Sequence, residues 1–124
     1  MAKKINLDKL FKLEDKTQKI CRRYPDKTAC KLAVNETLRN FLKDKKVNYL
    51  KSGELKKPFA KDVPLNPEII QRAVKKSLNQ CSRRYKVPAV QTRFNKKIAL
   101  AHGSCEEGVL NFADELERES FNLK

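Results

Sequence analysis

The chain has 124 residues, 29 Lys and Arg against 15 Asp and Glu, one His, 40% hydrophobic residues and no Trp, for a formal net charge of +14. That length fits one domain with a modest core, and no apolar run approaches the roughly 20 residues needed to cross a bilayer. Met1-Ala2-Lys3-Lys4 is followed by Asn6, Asp8 and Lys9 rather than by an apolar stretch, so the start does not read as a secretory signal; the expectation is a cytoplasmic protein with no membrane partner.

In chain order, Ile5, Leu10, Leu13, Thr17 and Ile20 predict a first helix over 5–23, with Lys3, Lys4, Lys9 and Lys12 on a solvated face. Tyr24-Pro25-Asp26 ends it, because a residue before proline is pushed out of the helical region. Thr28 is a candidate cap for a second helix, whose Val34, Leu38, Phe41 and Leu42 recur at i, i+4, i+7 and i+8 as one core-facing stripe. Lys43-Asp44-Lys45-Lys46 closes it. Residues 47–65, with Ser52-Gly53, Pro58 and Pro64, read as a long connection with a short ordered piece around Val47–Leu50.

The best-patterned helix follows. Asn66 is a good N-cap and Pro67 a good first-turn residue. Ile69, Ile70, Ala73, Val74, Leu78 and Cys81 form its apolar face, opposite Gln71, Arg72, Lys75, Lys76 and Asn79. Val87–Phe94 and Ile98–Ala101 then read as a hairpin around Asn95-Lys96-Lys97. Ser104-Cys105-Glu106-Glu107 has the form of a capping box, opening a last, acidic helix over 104–119 with Val109, Phe112, Ala113 and Leu116 buried. The expected fold class is α+β and mostly α-helical: about four helices with a small β-hairpin element, in a single basic domain over 1–124.

Cys21, Cys30, Cys81 and Cys105 have eight, 50 and 23 residues between them, with no Cys-x2-4-Cys pair, and His102 has no partner at metal-ligand spacing. No metal or other cofactor is expected, and in a cytoplasmic protein the cysteines read as reduced thiols. Gly53, Gly103 and Gly108 are isolated, so there is no phosphate-binding loop; one histidine without a Ser or Cys motif gives no grounds for a triad; Glu106 and Glu107 read as first-turn capping groups. The expectation is a binding protein and not an enzyme.

The charge says what it binds. Of the basic residues, 27 fall in the first 104 positions, against nine of the acidic ones, whereas the last 20 residues carry two basic and six acidic groups. A field of this kind is best neutralised by a polyanion, and the commonest is nucleic acid. Arg83-Arg84-Tyr85-Lys86 closes a helix already basic on its outer face through Arg72, Lys75 and Lys76, and Arg93, Lys96 and Lys97 follow. Arg forks grip phosphate bidentately, Lys adds mobile charge, and Tyr85 could stack on a base or bond a phosphate. No tight helix-turn-helix is evident, and a basic helix backed by a small hairpin suits RNA shape better than the DNA major groove.

From Pro64-Leu65, through Ile70, Arg72-Ala73-Val74, Leu78, Cys81, Arg84-Tyr85, Ala89, Thr92-Arg93-Phe94, Gly103, Glu107, Ala113 and Leu116, the order of features resembles the ProQ/FinO family of bacterial RNA chaperones. Upstream, Arg23-Tyr24-Pro25 and Lys31-Leu32-Ala33-Val34 are similar to two shorter family segments. The resemblance implies binding of structured RNA, a stem-loop with a 3′ single-stranded tail, in post-transcriptional regulation, with Arg84, Tyr85 and Arg93 as binding residues and Arg72 and Lys31 beside them. Two other readings are a DNA-binding regulator of plasmid or phage origin and a small inhibitor that docks on an acidic protein surface.

Overall fold

In a computed structural model, residues 4–43, 62–86 and 93–122 are described. Asn6, extended at φ −70° and ψ 140°, accepts the Asp8 amide on its side chain at 2.7 Å and starts α1, Leu7–Ile20. Ile5 therefore precedes the helix. It lies in a strand, β1 (Lys4–Asn6), paired antiparallel with β2 (Asp62–Pro64) in the register Ile5↔Val63. A 3₁₀ turn, Cys21–Arg23, follows α1, and Tyr24 is extended at φ −102° and ψ 151° ahead of Pro25, as its position requires.

The second helix, α2, runs Lys27–Lys43. Asp26 caps it, not Thr28: the Asp26 carboxylate accepts the Ala29 amide at 2.9 Å, while Thr28 is exposed. The third helix, α3 (Pro67–Arg84), has the expected start, with the Asn66 side chain accepting the Glu68 amide at 2.8 Å.

The mostly helical class with a small β element holds, but the β element is elsewhere. Ile98–Ala101 belongs to a 30-residue helix, α4 (Arg93–Asn122), and the two strands come from the N-terminus and from the segment before α3. A four-residue apolar run cannot distinguish strand from helix by itself. What decides is the stripe Ala101, Cys105, Val109, Phe112, Ala113 and Leu116, all buried and at continuous helical spacing straight through Gly103 and Ser104. The capping box at 104–107 is thus a mid-helix sequence. Ser104 is buried, and its hydroxyl accepts the Asp26 amide at 3.0 Å, serving the approach to α2 instead of its own helix. The expected piece at 47–50, most of the 47–65 connection and residues 87–92 lie outside the described residues.

The long helix α4 packs on α1, α2 and α3, most extensively on α2. Phe41, Leu42, Ile70, Phe112 and Leu116 fill the main core, closed at one end by Ile5 and Leu65. A second cluster, Ala29, Ala33, Cys81, Ala101, Cys105 and Val109, is made of small side chains, so backbones approach closely there. Gly108 marks the tightest point: a Cβ on it would overlap the Cys30 carbonyl oxygen and stand 3.2 Å from the Ala33 Cβ. The buried hydroxyls of Thr17, Thr37 and Ser77 each donate to the carbonyl four residues back at 2.7 Å, which is how a hydroxyl is accommodated on a core face. Asn40, also buried, donates to Ser77 Oγ at 2.9 Å and ties α2 to α3.

The cysteines correct the expectation of free thiols. Cys21 pairs with Cys30 and Cys81 with Cys105, with Cα atoms 5.5 and 5.8 Å apart, and none is left free. Spacing in the sequence carried no sign of this. The fold supplies it, by returning α2 past the 3₁₀ turn and laying α4 along α3. All four residues are 0–1% exposed. Closing loops of nine and 24 residues restricts the unfolded chain by about 2.6 and 3.5 kcal/mol in the chain-entropy model.

Candidate nucleic-acid interface

An outward helix face presents residues at i, i+4, i+7 and i+11 as one stripe. On α3 those positions are Arg72, Lys76, Asn79 and Arg83, with Lys75 alongside. Arg72, Lys75, Lys76 and Arg83 are all exposed, along about 16 Å of helix axis. Lys86, also exposed, continues the charge just beyond the helix. Lys75, Lys76, Arg83 and Lys86 make no ion pair among the described residues. The opposite face of α3 is anchored by Ile70, Ala73 and Cys81, so the stripe rides on a rigid support.

The structure parts this stripe from the dipeptide expected to lead it. The Arg84 guanidinium is engaged by the Glu36 carboxylate of α2, with side-chain exposures of 40% and 20%. That bond holds Arg84 above its ordinary pKa, against the smaller opposing effect of burial. Tyr85 is half-buried against the small-residue cluster around Cys81 and Cys105. A ring packed there is not a free stacking platform. Sequence reading could not see Glu36 coming, because it lies 48 residues away on another helix.

Among the remaining candidates, Arg93 is the first residue of α4, and its side chain is outside the described set. Lys96 and Lys97 are exposed in the first turns of α4, on a helix and not on a hairpin turn. Lys31 stands apart from all of these. It lies on α2 across a groove of about 180 Å³ lined also by Asp15, Gln18, Lys19 and Arg22. The exposed cations Lys19 and Arg22 were missed in the sequence, because nothing local signals that α2 folds back beside them.

The acidic end of the chain is docked. Lys9 pairs with Glu119 at 3.5 Å and Lys16 with Glu115 at 3.4 Å, so α4 neutralises part of α1. Glu106 and Glu107 are not first-turn capping groups: Glu107 accepts from the Tyr24 hydroxyl at 3.3 Å, and Glu106 faces His102 Nδ1 at 3.4 Å.

His102 also meets Ser82 Oγ through Nε2 at 3.4 Å, which lines up Ser82, His102 and Glu106. No local pattern signals this alignment, since Ser82 is 20 residues from the histidine. The resemblance to a catalytic triad stops at side-chain order. A working triad needs donors aimed at the oxyanion, whereas Ser82 sits inside α3, whose amides are engaged within the helix. Among the described residues no group of three or more His, Cys, Asp or Glu is placed to hold a metal ion, and no helix is long and apolar enough to cross a membrane.

No family model, curated protein or solved structure matches this chain.

Proposed function

We propose that this chain is a nucleic-acid-binding protein with a preference for structured RNA, and that the outer face of α3 is where it meets phosphates. The observation that carries the reading is the row of exposed cations Lys75, Lys76 and Arg83, continued by Lys86, without carboxylate partners among the described residues. Acidic residues are not scarce in the fold: those of α4 reach α1 and pair with it. A positive face left unneutralised beside them costs self-repulsion unless a polyanion covers it. Arg72 and, at the start of α4, Lys96 and Lys97 extend the field.

The resemblance to ProQ/FinO chaperones supports RNA over DNA, and with it a role in post-transcriptional regulation through a stem-loop with a 3′ tail. Its hairpin has no counterpart in 98–101, and Arg84 and Tyr85 are occupied within the fold. The proposal therefore places the main phosphate contacts on Arg83, Lys75 and Lys76. Binding without catalysis, in the cytoplasm, belongs to the same proposal. The cystines bear on that location, since a reducing compartment ordinarily keeps thiols unpaired; at 0–1% exposure they are shielded from reductant in the folded state.

The test is a titration with a 3′-tailed RNA hairpin, a DNA duplex of equal length and an unstructured polyanion at several salt concentrations. Contacts to about five phosphates give a log–log salt slope near −4. Lys75→Glu with Lys76→Glu and Arg83→Glu is expected to abolish hairpin binding without lowering the melting temperature. A flat salt response, or undiminished binding by the triple variant, refutes the reading. Equal affinity for any duplex favours the DNA regulator, and no nucleic-acid binding at all leaves the inhibitor of an acidic protein surface.

A further inference from the structure

We propose that the notch between α1, the 3₁₀ turn and the first turns of α2 is a binding site for a phosphate monoester, recognised as a dianion. The groove measures about 180 Å³ and is lined by Asp15, Gln18, Lys19, Arg22 and Lys31. That leaves room for a phosphate group that keeps part of its hydration. Three cations from three different elements converge on it, all exposed. None of the three makes an ion pair among the described residues, in contrast to Lys9 and Lys16 of the same helix, which α4 neutralises.

The lining carries its own charge arithmetic. Three cations and the Asp15 carboxylate leave two net positive charges facing the space. A phosphate monoester carries about −1.5 to −2 at pH 7, so it neutralises the notch, whereas a backbone diester with a single charge leaves it half-compensated. Asp15 thus tilts the site towards the chain-terminal or free ester. Arg22 supplies a planar fork suited to two phosphate oxygens, and the Gln18 amide adds a neutral donor.

Preorganisation comes from the cystine beneath. Cys21 immediately precedes Arg22 and Cys30 immediately precedes Lys31, and the bond fixes their Cα atoms 5.5 Å apart in a fully buried position. The backbones that carry the two cations are therefore locked to each other before any ligand arrives, which lowers the ordering cost of binding. The site shares no residue with the face of α3, so it stands or falls independently of the RNA reading. One chemistry admits two sources here: a small free phosphate ester, or the phosphorylated end of a nucleic acid.

The experiment titrates the full chain with methyl phosphate, following backbone amide shifts at Arg22 and Lys31 and the Gln18 side-chain amide. Saturable binding at pH 7.5 is expected, about tenfold weaker at pH 5, because a second pKa near 6 leaves about a tenth of the ester dianionic there. Sulfate, a dianion at both pH values, is expected to bind equally at both. Dimethyl phosphate, a monoanion, is expected to bind at least tenfold more weakly. Arg22→Gln and Lys31→Gln, both at exposed positions, are expected to remove saturation with unchanged melting curves, and Lys75→Gln to leave it intact. Non-saturable shifts, equal affinity for dimethyl phosphate, or saturation that survives in the Arg22→Gln/Lys31→Gln double variant each overturn the proposal. Once methyl phosphate binds, hairpin RNA with a phosphorylated or a hydroxyl end separates the two sources: a notch-dependent gain from the phosphate identifies the polymer end, and no gain identifies the free ester.

Discussion

Two glycines five residues apart in α4 provide an internal control for how closely α4 and α2 approach. Replacing a mid-helix glycine by alanine gains about 0.8–1 kcal/mol from backbone entropy alone. At Gly103 an added Cβ meets nothing within 4 Å, so that gain should appear nearly whole. At Gly108 the same methyl overlaps the Cys30 carbonyl oxygen and crowds the Ala33 Cβ at 3.2 Å. The first obstacle is backbone and cannot rotate away, so α2 and α4 must separate, at the overpacking cost of about 1–3 kcal/mol. With the upper half of that range applying to a backbone clash, Gly108→Ala should lose about 1–2 kcal/mol net and stand about 2–3 kcal/mol below Gly103→Ala. For a domain of this size that gap separates the melting temperatures by about 8–12 °C. Calorimetry and urea unfolding of both variants measure it. If Gly108→Ala melts within about 2 °C of Gly103→Ala, the close α2–α4 crossing described here is wrong.

Other expectations follow from single contacts. Burial lifts the Glu14 carboxyl above its usual 4.5, overcoming the Asn35 amide bonded to it at 3.1 Å; because the folded state then holds the proton more tightly, the stability this group contributes is full below 4.5 and is lost as pH rises through the raised value. Glu14→Gln, which keeps an acceptor for Asn35, should accordingly be more stable than the wild type at pH 7, and the difference should vanish below pH 4.5 in parallel melts. Thiol titration of native protein should find none of the four cysteines reactive and all four after reduction in denaturant, with Cys81→Ala/Cys105→Ala costing about 3.5 kcal/mol; reactive thiols in the native protein would contradict the pairing. A double-mutant cycle on Arg84 and Glu36 should give a coupling below about 1 kcal/mol, since both side chains are partly solvated, and Arg84→Ala should weaken RNA binding less than Arg83→Ala.

What the sequence disclosed and what it hid divide along sequence separation. The cap of α3, the core stripe of α2 and the stop at Tyr24-Pro25 are written in neighbouring residues, and all three appear as read. The hairpin failed because Ile98–Ala101 is short enough to suit either period, and only its continuation through Ala101, Cys105 and Val109 reveals the helix. The capping box failed because Ser104 satisfies an amide 78 residues away. For the candidate site, the basic face of α3 was legible from its helical spacing. Its dominant dipeptide was misjudged because partners from α2 and α4, invisible to a local pattern, take up Arg84 and Tyr85. The Lys19–Arg22–Lys31 convergence was illegible for the same reason.

The distribution of carboxylates links these observations. A chain with this much positive charge must keep its cations apart or cover them. The fold covers one set, by docking Glu115 and Glu119 of α4 onto Lys16 and Lys9, and spends Glu36 on Arg84 where α2 meets α3. Among the exposed cations without an ion pair to a described residue, Lys75, Lys76 and Arg83 form an extended row on α3, and Lys19, Arg22 and Lys31 form a compact cluster in the notch beside the Cys21–Cys30 cystine. A row about 12 Å long, from Lys75 to Arg83, matches a ligand with repeated charges, and a pocket with two net charges matches a single, doubly charged group. The two geometries call for different anions, so screening by salt should separate them: the row loses affinity steeply as counterions compete, while the notch, which binds one group at short range, loses far less.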